Sequence, residues 1–506
     1  MKHSHKLLLN TIVSYLKIII NAGVTVFATK IALQCLGADD YGLFNLIAGI
    51  IAMLAFLNGA LMISAQRFFS IAIGAKDEGR LTDYFNGSLG IHIAVATLMA
   101  VVLFAAKPLL FAYVLNINPE SIETGKAVYD LMILSSVITI GTIPYSAIMN
   151  AREDLAQLSF IEILSCIMKL FAAVVLLFAK GNLLEIYTIF MMLAVLFKML
   201  LEIGYSRWKY KEAKLRPKRL FKKDIIREML GFVGWNTLGA LAVLVRNQGV
   251  AVVLNVFFGT VVNAAYGIAN QVNALVLSFA SSLTAVFTPT IIQAKGAGND
   301  DKMIFSALFS SKVSFLFSSL MALPILVYTP EILNVWLSEY PDNTIGFCRA
   351  IVISFLVLQL YPGINRAIYA SGKIKGYQIS ISIILISIIP IGTILFKCGH
   401  PAVNIIILMI ILQAFTLFST THYAHKLCRL NLRHTYFQYI LPAVVAYVVN
   451  VFICIFLKNN SDGNIWLYTL TILLVAVIYI ALYEIHILQI RTRTIVKFFQ
   501  NIQKIV

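Results

Sequence analysis

The chain has 506 residues, 60% of them hydrophobic and only 12% charged, with a mean hydropathy of +0.86 and a formal net charge of +17. A soluble domain carries about 25% charged residues, so an ordinary soluble fold is excluded. The apolar residues fall in blocks of about 20, long enough to cross roughly 30 Å of hydrocarbon as helices. They lack the alternation of membrane β-strands.

The first residues, "MKHSHKLLLN", resemble a signal n-region. The run behind them is long, is interrupted by Lys17 and Lys30, and lacks a small-x-small cleavage site, which predicts a retained first helix. Six spans follow one another at about 11–33, 43–65, 84–106, 127–150, 157–179 and 183–206. A strongly basic stretch, 207–228, separates them from six more at about 229–257, 263–288, 304–328, 347–370, 377–396 and 402–424. Two further spans, about 436–457 and 465–487, precede a basic tail.

The expected architecture is therefore an all-α polytopic membrane protein of about 14 spans. Its expected parts are an N-lobe (1–206), a basic cytoplasmic linker (207–228), a C-lobe (229–425) and a terminal pair of helices with a tail (426–506). An even span number puts both ends on one side. With that side cytoplasmic, the inner loops hold about 27 Lys and Arg and the outer loops five (Lys107, Lys126, Lys180, Lys397, Lys458). This bias accounts for the net charge without a nucleic-acid partner.

The two lobes look duplicated. "LGADDYGLFN" (Leu36–Asn45) and "FGTVVNAAYGIAN" (Phe258–Asn270) join equivalent spans, and "GAKDEG" (Gly74–Gly79) and "QAKGAG" (Gln293–Gly298) follow them. The offsets, 259 − 37 = 222 and 294 − 75 = 219, define a parallel repeat of six spans.

Polar residues inside spans mark candidate sites. In span 7, Asn236, Gly239, Ala240, Val243, Arg246, Asn247 and Val250 share one helical face. In span 1 the stripe is Asn10, Ser14, Lys17, Asn21 and Ala28, and in span 8 it is Asn263, Tyr266, Asn270 and Asn273. These small, polar faces are the expected lining of a wet cavity. Among the embedded cations, Lys30, Arg349 and Arg366 lie near span ends and are expected to snorkel. Lys198 has Glu202 at i,i+4, and Lys169 has Glu162 two turns away. Lys17, Arg246 and Lys312 have no carboxylate at helical spacing, which favours a bound anion over pairing between helices. The in-span acids Asp130, Glu162, Glu202 and Glu484 could each carry a coupling proton, but none is distinguished by the sequence and a structural partner is the favoured reading for each. The six cysteines sit in or beside apolar runs without metal spacing. Neither GxxxxGK[ST] nor HExxH occurs, so no ATP-driven or zinc-peptidase chemistry is expected.

The span count, the duplicated lobe and the cationic lumen resemble the Wzx-type polysaccharide flippases of the MOP (multidrug/oligosaccharidyl-lipid/polysaccharide) superfamily. The most similar pieces are "LGADDYGLFNLIAGI", "AQRFFSIAIG" and "RNQGVAVVLNVFFGTVVNAAYGIANQV". The resemblance implies a MATE-like fold and a bacterial inner-membrane location. It also implies flipping of an undecaprenyl-diphosphate-linked oligosaccharide (an O-antigen, capsule or exopolysaccharide unit) from the cytoplasmic to the periplasmic leaflet by alternating access. Expected partners are that substrate, the bilayer and other glycan-assembly membrane proteins. No cofactor or metal is expected, and the drive would be an H+ or Na+ gradient or the membrane potential. Expected substrate contacts are Arg246, Lys17, Lys312, Asn21, Asn236, Asn247, Asn270 and Asn273. A lipid II flippase, a multidrug or cation antiporter of the same superfamily, and a membrane-embedded glycan-processing enzyme are the alternatives. An enzyme is disfavoured by the repeat and by the lack of a large outer loop.

Overall fold

A computed structural model describes residues 2–52, 54–114, 117, 119–337 and 339–459. The expected fourteenth span, Glu484 and the basic tail lie outside them. The described residues form helices joined by short turns, with no strand among them. In chain order these are α1 (Lys2–Ala52), α2 (Ala55–Gly74), α3 (Glu78–Leu109), α4 (Ile122–Ala151), α5 (Leu155–Val175) and α6 (Leu183–Lys209). Then come α7 (Lys223–Gly296), α8 (Asp300–Val327), α9 (Thr329–Leu337), α10 (Thr344–Gln359) and α11 (Pro362–Ser371). The series ends with α12 (Lys375–Ile386), α13 (Ile388–Lys397), α14 (Asn404–Cys428), α15 (Leu432–Thr435) and α16 (Leu441–Asn459).

Among the described residues, 11 helices are long and apolar enough to cross a membrane, or 12 if the bent pair α10 and α11 is one span. The longest, α7, has 74 residues. At about 1.5 Å per residue it is far too long for one crossing. It turns at Gly259, where φ is +79°, and α1 turns in the same way at Gly37, where φ is +76°. Each glycine adopts a left-handed conformation that side-chain-bearing residues rarely take, so one helix passes into the next without a loop. Exposed residues such as Leu98, Val102, Phe415 and Phe452 leave a hydrocarbon surface suited to lipid. The chain is a multi-pass membrane protein.

The repeat is visible in the geometry, with one change of register. Asp77 caps α3 by accepting a hydrogen bond from the Arg80 amide at 2.8 Å, and Asn299 caps α8 by accepting one from the Lys302 amide at 2.9 Å. Here 299 − 77 = 222, the offset of the two hinge glycines. The Ala-Lys match at 219 is therefore displaced by three residues, because capping rather than residue identity aligns the turns.

Contacts divide the chain into two units, Met1–Leu241 with Ile292–Gly298, and Ala242–Ile291 with Asn299–Val506. The boundary falls inside α7 rather than in 207–228. In the first unit Ala28, Ala32, Ile47, Tyr129, Ala172 and Tyr187 form one apolar core, and Leu61, Ala96, Ile140 and Val233 a second.

The stretch expected to be a linker is fastened onto this unit. The Asn86 side chain accepts from the Arg216 amide at 2.7 Å, and Arg219 and Lys222 bind Asp83 at 2.7 and 2.8 Å. Buried Glu212 holds Arg152 at 2.6 Å. The Tyr210 hydroxyl donates to Asp154, and burial together with that carboxylate pushes the phenol well above its ordinary range. The ends of α2 and α7 also meet here. A β-carbon on Gly74 would lie 2.0 Å from the Gln293 carbonyl oxygen, and one on Gly296 would lie 2.2 Å from that of Ile71.

The second unit contains a broken span. Pro362 starts α11 at a 45° bend from α10. The freed backbone groups find partners, as apolar surroundings demand. The Gly363 and Ile364 amides donate to the Ser311 hydroxyl at 3.0 and 3.3 Å, and the Tyr439 hydroxyl donates to the Leu360 carbonyl at 2.9 Å.

Candidate functional site

The break between α10 and α11 positions Tyr361, whose ring is buried against the interior of the second unit. The Gln413 side chain of α14 donates to its hydroxyl. Tyr361 and Tyr266 both lie within electrostatic reach of the Arg246 guanidinium on α7. Asn270 lies one turn beyond Tyr266 on α7. Arg246 is half-buried, and its Nε and Nη2 donate to the Asn247 carbonyl oxygen at 3.1 and 2.9 Å. Those bonds occupy two of a guanidinium's five N–H donors. No carboxylate pairs with Arg246 among the described residues, and the aromatic hydroxyls around it supply dipoles but no negative charge. The site is a fixed cation in an uncharged polar frame, which suits an anionic oxygen ligand.

The expected residues divide between the units. Arg246, Asn247, Asn270 and Asn273 belong to the second, and Asn270 and Asn273 are half-buried one turn apart on α7. Lys312, also in the second unit, is buried with its Nζ 5.9 Å from the Tyr439 ring. Lys17, Asn21 and Asn236 belong to the first.

Two expectations need correction. Lys17 is paired: its Nζ is 2.7 Å from the Glu162 carboxylate of α5. Glu162 thus serves Lys17 rather than Lys169, which is exposed, and Lys198 stands 3.9 Å from it on the other side. Lys198 also faces Glu202 at 3.6 Å, and Ser146 donates to Glu202 at 2.6 Å. The first unit therefore holds an alternating chain of two ammonium groups and two carboxylates. Asn236 does not line open space either. It is 3% exposed, and its amide donates to the Ala60 carbonyl at 2.8 Å, tying α7 to α2. Asn21 is half-buried with a carbonyl oxygen that has no partner among the described residues.

Arg366 departs from its expected snorkelling. It is half-buried, with its guanidinium 5.8 Å from the Tyr369 ring, whereas Lys30 and Arg349 are exposed as span-end cations should be. Tyr361 and Gln413 are absent from the residues the sequence picks out. Tyr361, Asn365 and Tyr369 form an i,i+4,i+8 polar series inside the span expected at 347–370, and that series is the signal that could have found Tyr361.

No family model matches the chain, and no curated protein matches it in sequence. Solved structures do match. MATE in the bent conformation aligns with a TM-score of 0.74 at 13% identity, covering 85% of this chain and 97% of that one. An outward-facing multidrug resistance MATE family transporter of the MOP superfamily aligns at 0.70 and 12%, covering 83% and 95%. A MOP superfamily transporter from Pyrococcus furiosus, described as having a binding pocket of reverse polarity, aligns at 0.71 and 12%, covering 84% and 96%. The chain has the MATE fold. At such identities the likeness is one of helix order and packing. In this MATE fold, Arg246 sits in the first span of the second repeat and Lys17 in the first span of the first.

Proposed function

We propose that the protein is a transporter that flips an undecaprenyl-diphosphate-linked oligosaccharide from the cytoplasmic to the periplasmic leaflet by alternating access, with both chain ends cytoplasmic. Arg246 carries this assignment. A permanently charged guanidinium within an apolar span is costly unless a counter-charge visits it, and no carboxylate pairs with it among the described residues. Its planar donors suit a diphosphate, and Asn247, Asn270, Asn273 and Tyr266 offer hydrogen bonds to sugar hydroxyls. The lipid tail remains in the bilayer throughout. Lipid II is the same chemistry with a different glycan and fits the same cation.

Multidrug or cation export is the rival use of this fold. Against it stand the in-span carboxylates, which already carry cationic partners: Glu162 with Lys17, Glu202 with Lys198 and Asp130 with Lys107 at 2.6 Å. The deciding experiment compares glycan export with membrane abundance. Arg246→Ala should abolish export at normal abundance, and Arg246→Lys should restore only part of it, because a point charge replaces a fork. Export at the wild-type rate by Arg246→Ala, or efflux of cationic drugs by the wild type, would overturn the assignment.

A further inference from the structure

Arg246 is not the second unit's only guanidinium without a carboxylate. Arg366 on α11 has no ion-pair partner among the described residues, and it lies against Tyr369. The Tyr377 phenol is within electrostatic reach of both Arg366 and Tyr361, and Tyr361 is within reach of Arg246. Tyr361 thus neighbours Arg246, and Tyr377 neighbours Arg366. Arg366 is five residues beyond Tyr361, which is about 7.5 Å along a helix and more than one turn.

The surroundings of Arg366 differ from those of Arg246 in one chemical respect. Asn365 donates through its amide to the Tyr377 hydroxyl at 3.1 Å, but its carbonyl oxygen is buried and has no hydrogen-bond partner among the described residues. An orphaned buried acceptor costs about 1–3 kcal/mol, so it calls for a donor. An ionised phosphate has no proton to give, whereas a sugar hydroxyl does. The other polar groups nearby are already engaged: Tyr377 meets Thr420 at 3.3 Å, and Gln378 donates to Tyr369 at 3.1 Å. A cation one residue along α11 from an unpartnered acceptor matches a sugar that carries both a carboxylate and free hydroxyls.

The geometry points to a second ligand subsite built on Arg366 and Asn365 that binds the carboxylate-bearing sugar of an acidic glycan, while Arg246 holds the diphosphate. This rests on the diphosphate role proposed for Arg246. The cargo class is then narrower than lipid-linked oligosaccharides in general: its repeating unit contains a uronic acid or a similar carboxylated sugar.

The test uses the purified full-length protein in nanodiscs and three probes: farnesyl diphosphate, its glucose conjugate and its glucuronic acid conjugate. The wild type should bind the glucuronic acid conjugate about tenfold more tightly than the glucose conjugate. Arg366→Gln should bring that ratio within twofold while leaving affinity for farnesyl diphosphate unchanged, and Arg366→Lys should keep part of the preference. Asn365→Asp, nearly isosteric, places a carboxylate next to Arg366 in the chain and should abolish the preference, with the Tyr377 hydroxyl donating to that carboxylate in place of accepting from the amide. The subsite is overturned if the wild type shows no acid preference, or if Arg366→Gln retains it. It is also overturned if Arg366→Gln weakens farnesyl diphosphate as much as Arg246→Gln does, since both arginines would then clamp one group. Failure of the wild type to bind farnesyl diphosphate at all is a distinct result, which removes the diphosphate role of Arg246 itself.

Discussion

Gly74→Ala is the smallest perturbation that should reach the packing of the first unit. The added methyl would fall 2.0 Å from the Gln293 carbonyl oxygen, with the carbonyl carbon and Cα at 2.7 and 2.8 Å. Ordinary carbon–oxygen contacts begin at about 3.3 Å, so the ends of α2 and α7 must part by ~1.3 Å. Both walls are backbone, and no flexible side chain can yield. Overpacking of this kind costs about 1–3 kcal/mol, and rigid walls put it near the top of that range. Alanine returns at most ~1 kcal/mol through helix propensity, and less at a terminal residue. The expected net loss is about 2 kcal/mol, a fall of roughly 4 °C in the melting midpoint of the purified protein. Gly296→Ala meets the Ile71 carbonyl in the same way and should cost about as much. Once one methyl has separated the helix ends, the second has room, so the double variant should lose ~1 kcal/mol less than the sum. A Gly74→Ala protein as stable as the wild type, or strictly additive losses, would refute the contact.

Other substitutions separate structural from functional polar groups. Glu162→Gln leaves Lys17 in a span without its carboxylate and should lower stability by about 1–3 kcal/mol, with Lys17→Met restoring much of it; melting of the single and double variants checks this. Asn236→Leu removes the bond to Ala60 and should cost about 1–2 kcal/mol in the same assay, whereas Asn247→Leu should leave the midpoint unchanged and impair export. Glu212→Gln should loosen the 209–223 stretch and speed its cleavage by added protease, with a wild-type cleavage rate counting against the fastening. A cysteine at Asp342 should react with an impermeant thiol reagent from outside intact cells and one at Lys211 should not; labelling of position 211 would reverse the proposed orientation.

The two hinge glycines were legible in the sequence because a turn without a loop demands a residue free of Cβ, and the surrounding apolar blocks announced the spans. Pairing between helices was not. Lys17 and Glu162 are 145 residues apart, and helical periodicity orders only neighbours on one helix. Asn236 and Arg246 share a face of α7, yet the compact units part between them, at Leu241. Periodicity gives an azimuth but not the neighbour at that azimuth. Arg366 shows that nearness to a span end does not give free access to solvent: it is half-buried past the 45° break before α11, against the ring of Tyr369.

The crossing of α2 and α7 also carries the repeat into the packing. Gly74 meets Gln293 and Gly296 meets Ile71, and both pairs of counterparts, 71 with 293 and 74 with 296, differ by 222. A contact in which each side repeats the other is self-complementary, like an isologous interface between two copies of one surface. The two sides differ in one respect: isoleucine stands at 71, while its counterpart Gln293 donates to the Ala151 carbonyl at 2.7 Å. Glycine stands on both sides because a side chain on either would run into the opposite backbone.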